Sequence, residues 1–197
     1  LSLVVSGGHT MLVVVRDYNT FELLGQTRDD AAGEAFDKIA RVMGYPYPGG
    51  IEIDRAAQKG TPAYPLPRPH VEGSDLDFSF SGLKTAVLNR INQSAQKGEE
   101  LCREDLAASF QQAVCDILAD RLFRAAEQTG ASKIVLAGGV SANSGIRARM
   151  KSECIKRGIE LHIPPLSYCG DNAAMIGSQA YYEFKAGNIA GLSLNAI

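Results

Sequence analysis

The stretch that most constrains the fold of this chain is its first fifteen residues, in which two apolar runs flank a turn containing two glycines. The runs cover residues 1–5 and 11–15, and the turn covers residues 6–10. Short runs of valine and leucine bounded by glycine favour buried strands over helices. The sequence therefore predicts a β-hairpin with residues 6–10 at its tip.

The hairpin tip has two interpretations. Glycine lets the backbone approach another group closely, and successive free N–H groups in such a turn suit phosphate oxygens, with Ser6 and Thr10 as further donors. An ordinary hairpin turn explains the same residues. The turn alone leaves both interpretations open.

Composition excludes several classes of protein. With 197 residues, 45% of them hydrophobic and 21% charged, the chain is predicted to be globular. A net charge of −2 gives no general attraction to nucleic acid. We find no run of about 18 apolar residues and no signal peptide, and we expect a cytoplasmic protein without a membrane span. Four scattered cysteines predict reduced, buried thiols rather than a zinc ribbon.

A third strand (21–27) and an amphipathic helix (30–43) follow the hairpin. Asp30, Glu34 and Asp37 recur every three or four residues, so they share one helix face and repel one another. Either this face is solvated and Asp30 is the N-cap, or Glu34 and Asp37 face hydroxyls or a metal-bound ligand across a cleft.

The middle of the chain combines glycine turns with helices. Gly49 and Gly50 precede a short predicted helix (51–58) that carries Asp54. This glycine pair is either a plain turn or a backbone surface on which a ribose or a planar group can lie.

Further along, phenylalanines alternate with serines over 77–81 and predict a strand before a helix. Lys84 is either solvated or a contact for an anion such as a tRNA phosphate. A long core helix is predicted over 104–128.

In the last third, the sequence predicts a strand (133–137), a helix that ends at residue 157, a second strand (160–163) and a final helix (171–186). Gly138 and Gly139 join a strand end to a helix N-terminus, which is a site suited to an anion or nucleotide. Asn143 offers an amide for a ribose or a base edge. Asp171 is either an N-cap or a functional carboxylate.

The predicted order is that of an α/β protein with the βββαβα layout of the actin/Hsp70/sugar-kinase ATPase superfamily. A helical insert is expected at about 51–130. Two glycine-rich turns would then face one cleft.

Six segments in this order resemble the TsaD/Gcp family of tRNA threonylcarbamoyladenosine transferases. They are VVSGGHT (4–10), DDAAGEAFDK (29–38), YPGG (47–50), DFSFSGLKT (77–85), GGVSAN (138–143) and DNAAMI (171–176). The resemblance runs from end to end of the chain.

The resemblance implies transfer of threonylcarbamoyl from threonylcarbamoyl-AMP to N6 of adenosine 37 in tRNAs that read ANN codons. It also implies one divalent metal (iron or zinc), an adenylate or ATP ligand, and TsaB-like and TsaE-like partners. Asp171 matches the family's aspartate metal ligand, and no catalytic residue is assigned. The substrate-binding positions carry over onto Val4, Val5, Ser6, Gly7, Gly8, Asp37, Gly50, Asp54 and Asn143.

One departure from the family is plain. The His-x-Glu-Gly-His motif that supplies its other metal ligands is not in this sequence; residues 70–74 have Ser74 in place of the second histidine and follow the glycine turn instead of preceding it. We therefore expect a second-half fragment whose metal-bearing first half lies upstream.

From the residues alone, three alternative functions remain. One is a small-molecule kinase of the same fold, and another is a non-catalytic nucleotide-binding scaffold paralogue, against which Asn143 and Asp171 argue. The third, a glycoprotein endopeptidase, lacks a nucleophile or a two-histidine zinc site.

Overall fold

Five strands form one mixed sheet in the order β3–β2–β1–β4–β5 in a computed structural model, which describes residues 1–191 and 193–194. The first three strands form an antiparallel meander, and β4 and β5 add parallel to β1 on its other side. Their bounds are β1 Ser2–Val5, β2 Thr10–Asp17, β3 Thr20–Gln26, β4 Lys133–Ala137 and β5 Glu160–His162.

In the described residues, six α-helices accompany the sheet: α1 Ala32–Val42, α2 Gly49–Ala57, α3 Ser81–Lys97, α4 Arg103–Thr129, α5 Ser144–Arg157 and α6 Ala173–Lys185. Two 3₁₀ turns, Gly139–Ala142 and Leu166–Tyr168, precede α5 and α6. Without α2, α3 and α4, which lie between α1 and β4, the order is βββαβαβα, one βα pair more than the predicted βββαβα. The predicted α/β fold class is confirmed, and the extent of the helical insert stays a prediction.

The two faces of the sheet differ in burial. Leu3, Leu12 and Leu136 are at most 1% exposed and join the side chains of α1, α4 and α5 in one core. On the opposite face, Phe21 and Leu23 are more than half exposed. Strand side chains alternate between the two faces of a sheet, so the helices that form the core cover one face only.

The start of α1 corrects the expectation for its acidic residues. No side chain of the preceding residue caps the helix, and the Thr10 hydroxyl accepts the Ala32 N–H at 2.8 Å instead. Lys38 Nζ lies 2.6 Å from Asp30 Oδ1 and 2.9 Å from Glu34 Oε1. Asp30 as the N-cap was thus wrong, and the predicted repulsion is relieved by a lysine of the same helix.

The segment predicted as a strand at 77–81 is a loop. Phe78 makes one isolated bridge to Thr27, and both Phe78 and Phe80 are buried in the core. Asp29 holds this loop, because its carboxylate accepts the Phe80 N–H at 2.8 Å and the Ser81 hydroxyl at 2.8 Å. The alternation of Phe and Ser was real, but a carboxylate anchors the segment where a strand ladder was expected.

The last helix, α6, lies apart from the core, and none of its 13 described residues is buried. Tyr182 stacks on Tyr18 of the β2–β3 turn with ring centroids 3.5 Å apart. The N-cap of α6 is Asn172, which accepts the Met175 N–H at 3.0 Å. Asp171 as an N-cap was therefore wrong. Within the described part of the chain, no helix is long and apolar enough to cross a membrane.

Candidate functional site

The two glycine-rich turns meet at the carboxyl ends of β1 and β4, as predicted. Gly138 has φ +90° and ψ 163°, a conformation almost restricted to glycine, and a Cβ there would lie 2.3 Å from the Val5 carbonyl oxygen. A Cβ on Gly33 would lie 2.6 Å from the Ser6 carbonyl oxygen. These two glycines therefore let the strand ends and the start of α1 pack backbone to backbone.

The hairpin tip is shaped by its own serine. Ser6 Oγ accepts the Gly8 N–H at 3.3 Å and the His9 N–H at 3.0 Å. The expectation of successive free N–H groups was therefore wrong for Gly8 and His9. Among the described residues, the Gly7 N–H finds no hydrogen-bond partner, so one backbone donor of this turn remains for a ligand.

A cavity of about 530 Å³ lies beside the turns, between α1, α2 and the start of α5. Its polar side chains are two carboxylates, one arginine and two amides. The lining residues that bear on function are Gly7, Asp37, Gly50, Asp54, Arg55, Gln58, Gly139 and Asn143. Five of the residues that the sequence predicted for substrate binding are brought together here.

Asp37 is fixed by the turn that leads into α2. Its Oδ1 accepts the Gly49 N–H at 2.8 Å. A Cβ on Gly49 would lie 2.4 Å from the Ala40 Cβ, so this approach of α2 to α1 requires glycine. Glu34, by contrast, pairs with Lys38 and does not line the cavity. Of the predicted pair, Asp37 alone faces the cavity.

Asp54 links α2 to the start of α5. Its Oδ1 accepts the Ser144 hydroxyl at 2.7 Å, and its Oδ2 accepts the Ser144 N–H at 3.1 Å. Gln58 donates to the same hydroxyl at 3.1 Å. These contacts hold two walls of the cavity together.

Asn143 is the N-cap of α5 and is 9% exposed. Its Oδ1 accepts the Ile146 N–H at 3.0 Å, and its Nδ2 donates to Gln111 Oε1 at 2.7 Å. Each of these atoms keeps further hydrogen-bonding capacity: one N–H and one lone pair. The amide can thus serve the helix and a ligand together.

A second cavity of about 800 Å³ lies on the other side of the turns. Val4, Ser6 and Asp171 line it, together with His9, Gly138 and apolar residues of β4 and β5. The predicted site residues are therefore divided between two cavities. Val5 and Gly8 line neither cavity. The Val5 side chain is fully buried.

The donor set for a metal is incomplete. Among the described residues, no three His, Cys, Asp or Glu side chains come together in a way that could hold a metal ion. Asp171 is exposed, and the loop at 70–74 brings no ligand partner to it. The described residues therefore do not form a complete metal site by themselves.

Gln111, Ser144 and Arg55 were missed by the sequence analysis. α4 was interpreted as core, and Gln111 is in fact buried at 8% exposure. A glutamine four residues before Cys115 and seven before Leu118 lies on the apolar side of that helix. A polar residue on a buried helix face was the available signal.

Comparison with known proteins shows the family to which the chain is similar. A family model described as tRNA N6-adenosine threonylcarbamoyltransferase matches residues 1–178. Curated proteins of that name are 54% identical over 197 residues in Bacillus cereus and 52% identical over 198 residues in Clostridium botulinum. Each alignment covers all of this chain, which spans 57% and 58% of those relatives.

A likeness among solved structures concerns the fold alone. Full-length HypF, in its phosphate- and nucleotide-bound form, superposes with a TM-score of 0.69 at 15% identity. The match covers 98% of this chain and 34% of that one.

Proposed function

Because this chain belongs to the TsaD family of tRNA N6-adenosine threonylcarbamoyltransferases, we propose that the intact protein transfers threonylcarbamoyl from threonylcarbamoyl-AMP to N6 of adenosine 37 in tRNA. The described segment supplies most of the nucleotide-binding side. TsaB-like and TsaE-like partners and a cytoplasmic location belong to the same proposal.

The main support for the nucleotide site is the open space around three glycines that line the cavity of about 530 Å³, called the smaller cavity below. Among the described residues, nothing lies within 4 Å of a Cβ added at Gly7 or Gly139, and a Cβ added at Gly50 meets only the Phe36 Cβ at 3.8 Å. None of the three has a positive φ. The fold does not require glycine at these positions, and glycine there leaves the backbone that lines the cavity open to a ligand.

The charges of the cavity indicate how a nucleotide would lie. Ionised Asp37 and Asp54 accept hydrogen bonds but cannot donate them, so they suit ribose hydroxyls and repel a phosphate. The Gly7 N–H and the turn at Gly139 suit the phosphate. The adenylate therefore lies with its ribose toward α2 and its phosphate between the two turns.

A metal ion, iron or zinc, belongs to the proposal for the intact protein. Asp171 would provide one carboxylate ligand, and the remaining ligands would come from outside the described residues. When bound to the intact protein, the ion would act as a Lewis acid.

The test is calorimetric titration of the 197-residue chain with AMP. We expect weak binding, in the range of tens of micromolar to millimolar, because only one side of the cleft is present. Gly7→Ala and Gly139→Ala should weaken binding about tenfold or abolish it, with melting temperatures close to wild type, since the added methyl meets only the ligand.

Gly177→Ala is the matched control, because an added Cβ there also has nothing within 4 Å and the residue lies on α6, away from the smaller cavity. Its AMP affinity should equal that of wild type. Nanomolar affinity of the segment alone, or undiminished binding in Gly7→Ala, would contradict the proposal.

A further inference from the structure

Gln111 is a buried polar side chain on the helix that contributes most to the core. It lies between Phe110, which is fully buried, and the exposed Gln112. Burying an amide without a hydrogen bond is unfavourable, so a buried glutamine is expected to have a partner. That partner is the Asn143 amide, at 2.7 Å.

The Asn143 side chain is held at both ends. Its oxygen caps α5 through the Ile146 N–H, and its nitrogen donates to Gln111 Oε1. Turning the amide over would set two donors against each other at Ile146 and two oxygens against each other at Gln111. The Ile146 N–H and Gln111 Oε1 together therefore favour the orientation in which Asn143 presents its remaining N–H and lone pair, and Gln111 fixes the nitrogen end of the amide.

Gln111 itself has little freedom to move. A Cβ on Gly145, in the first turn of α5, would lie 2.5 Å from Gln111 Nε2 and 3.0 Å from its Cδ. The side chain thus lies flat against the first turn of α5, and glycine at 145 leaves the space that it fills. On the other side of Asn143, Asp54 holds Ser144.

We propose that Gln111 is a positioning residue for the nucleotide site, acting through Asn143. It ties the long helix α4 to the turn that binds the ligand, so that Asn143 is oriented before the nucleotide arrives. Preorganisation of this kind lowers the ordering cost of binding. The proposal rests on the proposed nucleotide site.

Three variants of the 197-residue chain test it by AMP titration. Gln111→Met keeps the length of the side chain but removes the acceptor, and it should weaken AMP binding by about 5- to 20-fold. Gln111→Glu keeps an acceptor oxygen and should recover most of the affinity. Gln112→Met, the exposed neighbour, should bind as wild type does.

A second readout follows the Asn143 amide directly. Its side-chain NH₂ signals, identified by their loss in Asn143→Asp, should exchange with solvent several-fold faster in Gln111→Met than in wild type. A merely structural role for Gln111 would lower the melting temperature and leave AMP affinity, measured well below the transition, unchanged.

Each outcome decides a separate point. Equal AMP affinity in wild type and Gln111→Met would overturn the positioning role and leave the nucleotide site standing. If wild type binds no AMP, the proposed nucleotide site fails. In that case the exchange of the Asn143 NH₂ signals tests the positioning role of Gln111 by itself. Faster exchange in Gln111→Met would show that Gln111 restrains Asn143, and unchanged exchange would show that it does not.

Discussion

At the residue scale, two neighbours at the start of α6 have different tasks. Asn172 caps the helix by accepting the Met175 N–H at 3.0 Å, and Asp171 lines the larger cavity. Because Asn172 supplies the cap, the Asp171 carboxylate is not needed for it. This agrees with the proposal that Asp171 is a metal ligand in the intact protein.

We expect Asn172→Ala to speed amide hydrogen exchange in α6 about fivefold, since losing an N-cap costs about 1 kcal/mol. Asp171→Asn, the matched neighbour, should have a smaller effect, because its charge acts on the helix dipole from outside the first turn. Exchange measured by mass spectrometry on both variants checks this. Faster exchange in Asp171→Asn than in Asn172→Ala would assign the cap to Asp171.

At the scale of elements, two aspartates attach the loop before α3 to the rest of the fold. Asp77 accepts the Gln26 N–H at 2.8 Å and pairs with Arg28 at 2.6 Å, and Asp29 binds the Phe80 N–H. Burial raises the pKa of each carboxyl, but the hydrogen bonds to its charged form outweigh burial, so the pKa of each lies below its usual value.

These two carboxylates should make the fold less stable at acidic pH. A carboxylate whose pKa is depressed in the folded state stabilises the fold above its unfolded pKa of about 3.9, and the contribution is lost as pH falls through the lower folded value. We expect the loop at 77–81 and the start of α3 to gain hydrogen exchange first as the pH falls below about 4.

Asp77→Asn should reproduce part of this loosening at pH 7, by on the order of 1–2 kcal/mol, because a charge-assisted hydrogen bond is weakened. Asp75→Asn is the control, since Asp75 is exposed and only two residues away. Chemical denaturation of both variants measures the difference. If both shift stability equally, Asp77 does not anchor the loop.

At the scale of the whole molecule, one core encloses residues from distant parts of the chain. Three of the four cysteines are buried, as predicted, but Cys102 is exposed, so the prediction of a buried thiol was wrong there. Burial, assisted by the charge of Asp116, raises the pKa of Cys115 to about 12. Burial also raises the pKa of Cys154.

We therefore expect one thiol to react rapidly with a chromogenic disulfide reagent at pH 8, because the thiolate is the reactive form and the other thiols are covered. In denaturant, all four should react. Cys102→Ser should remove the rapid phase and leave the slow one. Two or more rapid thiols in the native protein would contradict the burial described for this core.

The sequence by itself determined the order of the elements and the positions of the turns. Hydrophobic periodicity and glycine placement are local properties, so the hairpin, the long helix and the βαβα end were predictable, as was the cleft between Gly7 and Gly139. Partners distant in sequence were not. Thr10 replaced Asp30 at the start of α1, and Asp29 turned an apparent strand into an anchored loop.

Only the tertiary structure decided how the site is held. Gln111 meets Asn143 across 32 residues and Asp54 meets Ser144 across 90, and no local pattern encodes which polar side chain a fold brings to another. Burial then makes such pairings obligatory, because an unpaired buried amide or carboxylate is costly. Five residues of the cavity of about 530 Å³ were predicted from the sequence. Their orientation, and the contributions of Gln111 and Ser144, depend on contacts that form only when the chain folds.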